Sequence, residues 1–212
     1  MSRATDKPIT YLITKGEATP ANFHAASREI LEIIRTAVDE GVSMVQIREK
    51  PLSARLLCEL CTAAVEITRG TATKLLINDR ADIALAAGAA GVHLTAKSLP
   101  PRVLRDKFPT GFLIGVSTHS AEAATEAAAS GADFAVFAPV FATPGKGEPH
   151  GLEKLAEVCD RLDPFPILAL GGVDEMNFAD AIDAGASGFA AIRLLNDKEK
   201  LRSIMRRIRT RE

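Results

Sequence analysis

The chain has 212 residues, with 26 basic against 27 acidic side chains, a net charge of −1 and an apolar fraction of 47%. So even a balance excludes a polyanion-binding surface as a bulk property, and no stretch approaches membrane-spanning length. Neither nucleic acid nor membrane is therefore an expected partner, and a cytoplasmic location is expected.

The first predicted element is a strand, ITYLITK (residues 9–15), followed by an amphipathic helical stretch. The second strand closes the phrase VDEGVSMVQI (38–47), in which a helical run stops on Gly41 and a short apolar run begins at once. A glycine there takes the left-handed conformation that ends a helix, and the run after it suits a buried parallel strand. Gln46, Arg48 and Lys50 follow on alternate positions and share one face, with Glu49 on the outward one. Burying two cations costs several kcal/mol, so these belong at a strand end where they meet an anion or carboxylates. Cys58 and Cys61 form a C-x-x-C inside the helical run LLCELCTAAV (56–65). A three-residue step puts both on one helix face, which points to core packing rather than redox or zinc chemistry.

KLLIN (74–78) is the third strand and ends at Asn78, with Asp79 next. Asp79 suits a divalent cation or a helix cap, but one carboxylate makes a poor magnesium site unless substrate phosphates complete the octahedron. AAGAAGVHL (86–94) repeats the phrase around Gly88 and carries His93 inside the strand, expected to be packed and hydrogen-bonded. The residues after it, Thr95, Ala96, Lys97 and Ser98, supply no second carboxylate. The fifth strand, FLIGVS (112–117), ends at Ser117, followed by Thr118 and His119. A histidine there serves either as a proton shuttle near neutral pH or as the cap of the next helix.

ASGADFAVF (129–137), with Gly131, is the sixth strand, and TPGKG (143–147) follows as a loop without apolar periodicity. Thr143 and Lys146 in such a loop fit a ligand lid in which one mobile lysine neutralises a phosphoryl group; a solvated surface loop is the alternative. The seventh strand, PILALGG (166–172), ends on Gly171 and Gly172, before VDEMN (173–177) as an expected helix start. Missing β-carbons let backbone amides approach a phosphate, although a tight turn needs glycine as well. DAGASGFAAI (183–192), with Gly185, is the eighth strand, ending at Ile192 and Arg193; the basic tail MRRIRTR (205–211) reads as a solvent-facing helix.

The four phrase glycines lie roughly 45 to 55 residues apart, about twice a strand-plus-helix unit, so the phrase marks every second strand. Eight alternating units imply an α/β fold, a closed (β/α)8 TIM barrel, with an open doubly wound sheet as the competitor. The length is at the short end for a barrel and is expected to make residues 1–212 one domain. In such barrels the reactive groups sit at the carboxyl ends of the strands, where the polar residues named above gather.

VQIREK, LLINDRADIA, GVHL, IGVSTHS, PVFATPGK and ALGGV, in this order over nearly the whole chain, resemble the thiamine-phosphate synthase superfamily, which includes the TenI-type thiazole tautomerases. The resemblance implies a (β/α)8 barrel in which Gln46, Arg48, Lys50, Asn78, Ser117 and Lys146 face a pyrimidine diphosphate. It implies that Thr143, Gly172, Ile192 and Arg193, beside Gly171, surround a thiazole phosphate, and that Asp79 is the first magnesium ligand. Three positions depart from the synthase pattern: Ser98 stands where the second magnesium carboxylate is expected, Gly145 where a threonine is, and Arg193 where a serine is. A retained phosphate pocket with half a metal site matches the TenI-like branch. The leading expectation is therefore metal-free tautomerisation of a thiazole phosphate carboxylate, with His119 moving the proton. The alternatives are magnesium-dependent condensation of hydroxymethylpyrimidine diphosphate with thiazole phosphate, and a non-catalytic binding and regulatory protein. A homodimer is also expected, from apolar residues on the barrel helices.

Overall fold

The computed structural model describes residues 7–210. Strands and helices alternate through the chain. The strands are β1 (Ile9–Ile13), β2 (Met44–Ile47), β3 (Lys74–Asn78), β4 (Gly91–Leu94), β5 (Leu113–Thr118), β6 (Phe134–Phe137), β7 (Ile167–Ala169) and β8 (Gly188–Ala191). Between and after them lie α1 (Phe23–Asp39), α2 (Ala54–Thr68), α3 (Ala81–Ala87), α4 (Pro101–Arg105), α5 (Ala121–Ala129), α6 (Gly151–Leu162), α7 (Phe178–Asp183) and α8 (Lys198–Arg209). Each strand pairs in parallel with the next, and β1 pairs with β8, so the sheet closes into a (β/α)8 barrel and the open-sheet alternative falls away.

Side-chain alternation along each strand builds two cores. Leu12, Val45, Ile47, Leu75, Ile77, Val92, Ile114, Ala135 and Phe189 point outward and are buried under the helices. Tyr11, Ile13, Met44, Leu76, Phe134, Val136, Leu168 and Ala190 point inward and fill the lumen, so the barrel is a packed core and not a pore. The phrase glycines Gly41, Gly88, Gly131 and Gly185 all have positive φ, from 73° to 98°, the left-handed turn from helix into strand.

The basic tail forms α8. Leu201, Ile204, Met205 and Ile208 recur at helical spacing and are buried; each fully covered side chain of this size is worth about 1.5–3 kcal/mol. Asp197 caps the helix, accepting from the amides of Glu199 and Lys200 at 3.0 and 3.1 Å. Its cations stay outside: the Arg207 guanidinium lies 4.7 Å over the Phe178 ring and Arg209 pairs with Glu40. Arg211, the last basic residue of the expected tail helix, lies outside the described residues. On α2, Cys61 is buried and Cys58 half-buried, and burial pushes the Cys61 thiol up to about 12, as befits a packing residue. No helix among the described residues is long and apolar enough to cross a membrane.

Two local expectations are corrected. β7 ends at Ala169 rather than at the glycine pair, because Gly171 and Gly172, at φ 94° and 65°, turn the chain out of the sheet. VDEMN does not start a helix. Asp174 accepts from the amides of Met176 and Asn177 while Asn177 Oδ1 accepts from the amide of Asp174, a closed turn that defers α7 to Phe178.

Candidate active site

The inward alternation that fills the lumen continues past the strand ends, where apolar residues give way to polar ones. At the floor of the mouth, Gln46 and His93 are buried, with Ser117 above them partly exposed. Gln46 Nε2 donates to Tyr11 Oη at 2.9 Å, Tyr11 Oη lies 3.2 Å from His93 Nδ1, and His93 Nε2 lies 2.8 Å from Ser117 Oγ. Four strands thus contribute one continuous chain of hydrogen bonds. Burial raises the Tyr11 phenol and, with the Arg48 charge adding to it, pushes His93 down to about 3, so both are neutral at ordinary pH. His93 is thus packed and hydrogen-bonded, as expected. Tyr11 was missed as a polar residue: ITYLITK reads as a plain strand, and only the inward parity of its lone tyrosine hints at a role.

Arg48 is half-buried and anchored through its amide to Thr14 Oγ1 at 2.8 Å, while Lys50 is exposed. Glu49, on the outward face, is buried and accepts the amides of Gly16 and Ala18 at 3.1 and 2.8 Å, which fixes the loop after β1 beneath Arg48. Lys50, Asn78 and Asp79 line one cleft of about 290 Å³. Among the described residues, Arg48, Lys50, Lys97, Lys146 and Arg193 take no ion-pair partner. A set of unpaired cations around one mouth offers electrostatic stabilisation to an anion.

Asp79 does not cap α3, whose N-cap position is Arg80. It holds a left-handed backbone, φ 61°, costly for a residue with a β-carbon, and its Oδ1 accepts from the hydroxyl of Ser98. Ser98 Oγ in turn accepts the Thr95 amide at 2.7 Å, so the β4–α4 turn is knotted onto Asp79 by a neutral hydroxyl. Magnesium takes six oxygens, commonly one or two carboxylates with waters and substrate phosphates. Among the described residues no group of three or more His, Cys, Asp or Glu side chains converges. One carboxylate beside one hydroxyl fits a magnesium ion that arrives with a diphosphate, and it does not make a standing metal site.

His119 is exposed, and its Nδ1 donates to the Ala138 carbonyl at 2.6 Å, which leaves Nε2 free as an acceptor when the ring is neutral. It does not cap α5; Ser120 does, accepting from the Ala123 amide at 3.1 Å. Thr143 is half-buried and Lys146 exposed on the β6–α6 loop, whose first turn lies against the glycine pair. A β-carbon on Gly172 would sit 2.5 Å from the Ala142 carbonyl, and one on Gly171 2.7 Å from Pro139. The pair is therefore required for loop packing whatever it binds. Ile192 packs at the top of the lumen core and Arg193 is exposed beside it.

Residues 10–195 match the protein family described as thiamine monophosphate synthase. The thiamine-phosphate synthase of Methanoculleus marisnigri is 40% identical over 183 residues, covering 85% of this chain and 86% of that one. That of Chlorobium luteolum is 36% identical over 205 residues, covering 93% and 92%. The solved structure of thiamine phosphate pyrophosphorylase from Pyrococcus furiosus superposes with a TM-score of 0.79 at 29% identity, covering 95% of this chain and 97% of that one. Fold, mouth and likeness along almost the whole length converge: the chain belongs to the thiamine monophosphate synthase family and is an enzyme of the thiamine-phosphate synthase superfamily.

Proposed function

We propose that this enzyme condenses hydroxymethylpyrimidine diphosphate with thiazole phosphate and releases pyrophosphate. The observation that carries the reading is likeness to a protein named thiamine-phosphate synthase, 40% identical over 85% of the chain. It moves the preference from the proton-transfer reaction expected above to condensation. In this reaction the bond between the pyrimidine methylene and the diphosphate oxygen breaks with its electron pair on pyrophosphate, and the thiazole nitrogen then bonds to the cation-like carbon.

The residues divide by charge. Arg48, Lys50 and Lys146, with Gln46, Asn78 and Ser117, hold the pyrimidine diphosphate and meet the charge that builds on it. Gly171 and Gly172, with Thr143, Ile192 and Arg193, hold the thiazole phosphate. Asp79, with the Ser98 hydroxyl, holds magnesium, which when bound neutralises charge on the departing pyrophosphate. The proposal includes a cytoplasmic homodimer.

Mixing the protein with both substrates and magnesium, and assaying pyrophosphate, tests the reading; no pyrophosphate above the uncatalysed rate overturns it. Tautomerisation of a thiazole phosphate carboxylate is the second reading, favoured by the lone carboxylate at Asp79 and by the free Nε2 of His119. It is distinguished by isomerisation that persists in chelator. Saturable thiazole phosphate binding with neither activity identifies a regulatory protein.

A further inference from the structure

Ser117 is the most exposed member of the hydrogen-bond chain, and the atoms below it decide which way its hydroxyl hydrogen points. Gln46 Nε2 donates to Tyr11 Oη, so the single phenol hydrogen is left for His93 Nδ1. A neutral imidazole that accepts at Nδ1 carries its hydrogen on Nε2 and donates it to Ser117 Oγ. Ser117 Oγ, already an acceptor and without another side-chain partner among the described residues, turns its own hydrogen to the mouth.

The imidazole is closely packed on both sides. A β-carbon on Gly115 would lie 2.8 Å from His93 Nδ1 and 2.3 Å from Phe134 Cζ, and the Tyr11 and Phe134 rings lie 5.6 and 6.0 Å from the His93 ring. The rest of the lumen around this chain is aliphatic, and a fully apolar filling would serve stability as well. A polar line through four strands that ends beside unpaired cations has a use at the mouth.

We infer that Tyr11 and His93 are positioning residues that lock Ser117 as a hydrogen-bond donor to an oxygen of the bound diphosphate. The identity of that anion rests on the condensation reading; the direction of the chain does not. Long-range proton–nitrogen spectra of the full protein with labelled histidine read the tautomer without any substitution. The result expected is Nε2–H on His93; an Nδ1–H tautomer overturns the inference. Inorganic pyrophosphate with magnesium is the calorimetric probe for the second arm. Tyr11→Phe and Ser117→Ala are each expected to weaken its binding roughly tenfold, and the double variant no further than Ser117→Ala alone. Losses that multiply overturn the inference, and so does a wild-type protein that binds no pyrophosphate. If substrates give no pyrophosphate while the tautomer and the coupling are as expected, the condensation reading fails and the positioning role stands.

Discussion

The floor and the rim of the mouth are built on opposite plans. On the floor, Gln46, Tyr11 and His93 are buried, with no freedom to choose partners. On the rim, Lys50, Lys97, Lys146 and Arg193 are exposed and unpaired, long side chains whose charge is free to follow a ligand. On the proposed reading, orientation is supplied by short-range hydrogen bonds fixed on folding, and charge by exposed side chains that order when an anion binds. Damage to the floor should appear as lost stability together with weaker binding, and damage to the rim as lost turnover with stability kept.

The sharpest separation comes from Lys146→Ala. With no protein partner to lose, the variant is expected to unfold within about 0.5 kcal/mol of wild type in urea, while pyrophosphate release falls roughly a hundredfold. Equal losses in both measurements would erase the distinction between rim and floor. The converse is Gly115→Ala. Its β-carbon would press on His93 and Phe134, so overpacking is expected to lower stability by about 1–3 kcal/mol in the same titration. A variant as stable as wild type would show that the imidazole has slack. Between floor and rim stands Asp79, engaged by a neutral hydroxyl where a second carboxylate would sharpen a metal site. Ser98→Asp is expected to tighten magnesium binding about tenfold, read by calorimetry with pyrophosphate present. Unchanged affinity would show that Ser98 does not set the magnesium affinity.

The barrel was legible because the helix-ending glycine and the strand after it recur, and each copy carries the same physical instruction. Glu49 was legible as outward from parity, yet its hold on the Gly16 and Ala18 amides was not, since those lie on a loop more than thirty residues away. Asp79 and Ser98 stood out as chemical types, but their mutual hydrogen bond depends on how two adjacent strands end, which spacing along the chain does not encode. The turn after β7 was misread because Asp174 and Asn177 satisfy each other's backbone before a helix begins. Tyr11 was the largest omission: a phenol in an apolar strand carries no local sign of a partner some eighty residues on.

The smallest expected effect is also the most specific to the floor. The folded-state value of His93 is pushed to about 3 from an ordinary 6.5, so between these values the unfolded chain binds a proton that the folded chain refuses. The contribution is complete above about 6.5 and is lost as pH falls, with a limiting slope of about 1.4 kcal/mol per pH unit. The lowered carboxylates Glu32, Asp82 and Glu122 shift stability only as pH falls through their ordinary range near 4, and Cys61 and Tyr11 only as pH rises through their ordinary values of 9 and 10. Among the described residues, His93 is thus the shifted group in play in the window from about 6.5 down to 4.5. Urea midpoints measured across that window should fall with pH in wild type and flatten in His93→Gln, whatever the absolute stability of the variant. A flat wild-type curve would mean that solvent reaches the imidazole, and the floor would then be no more preorganised than the rim.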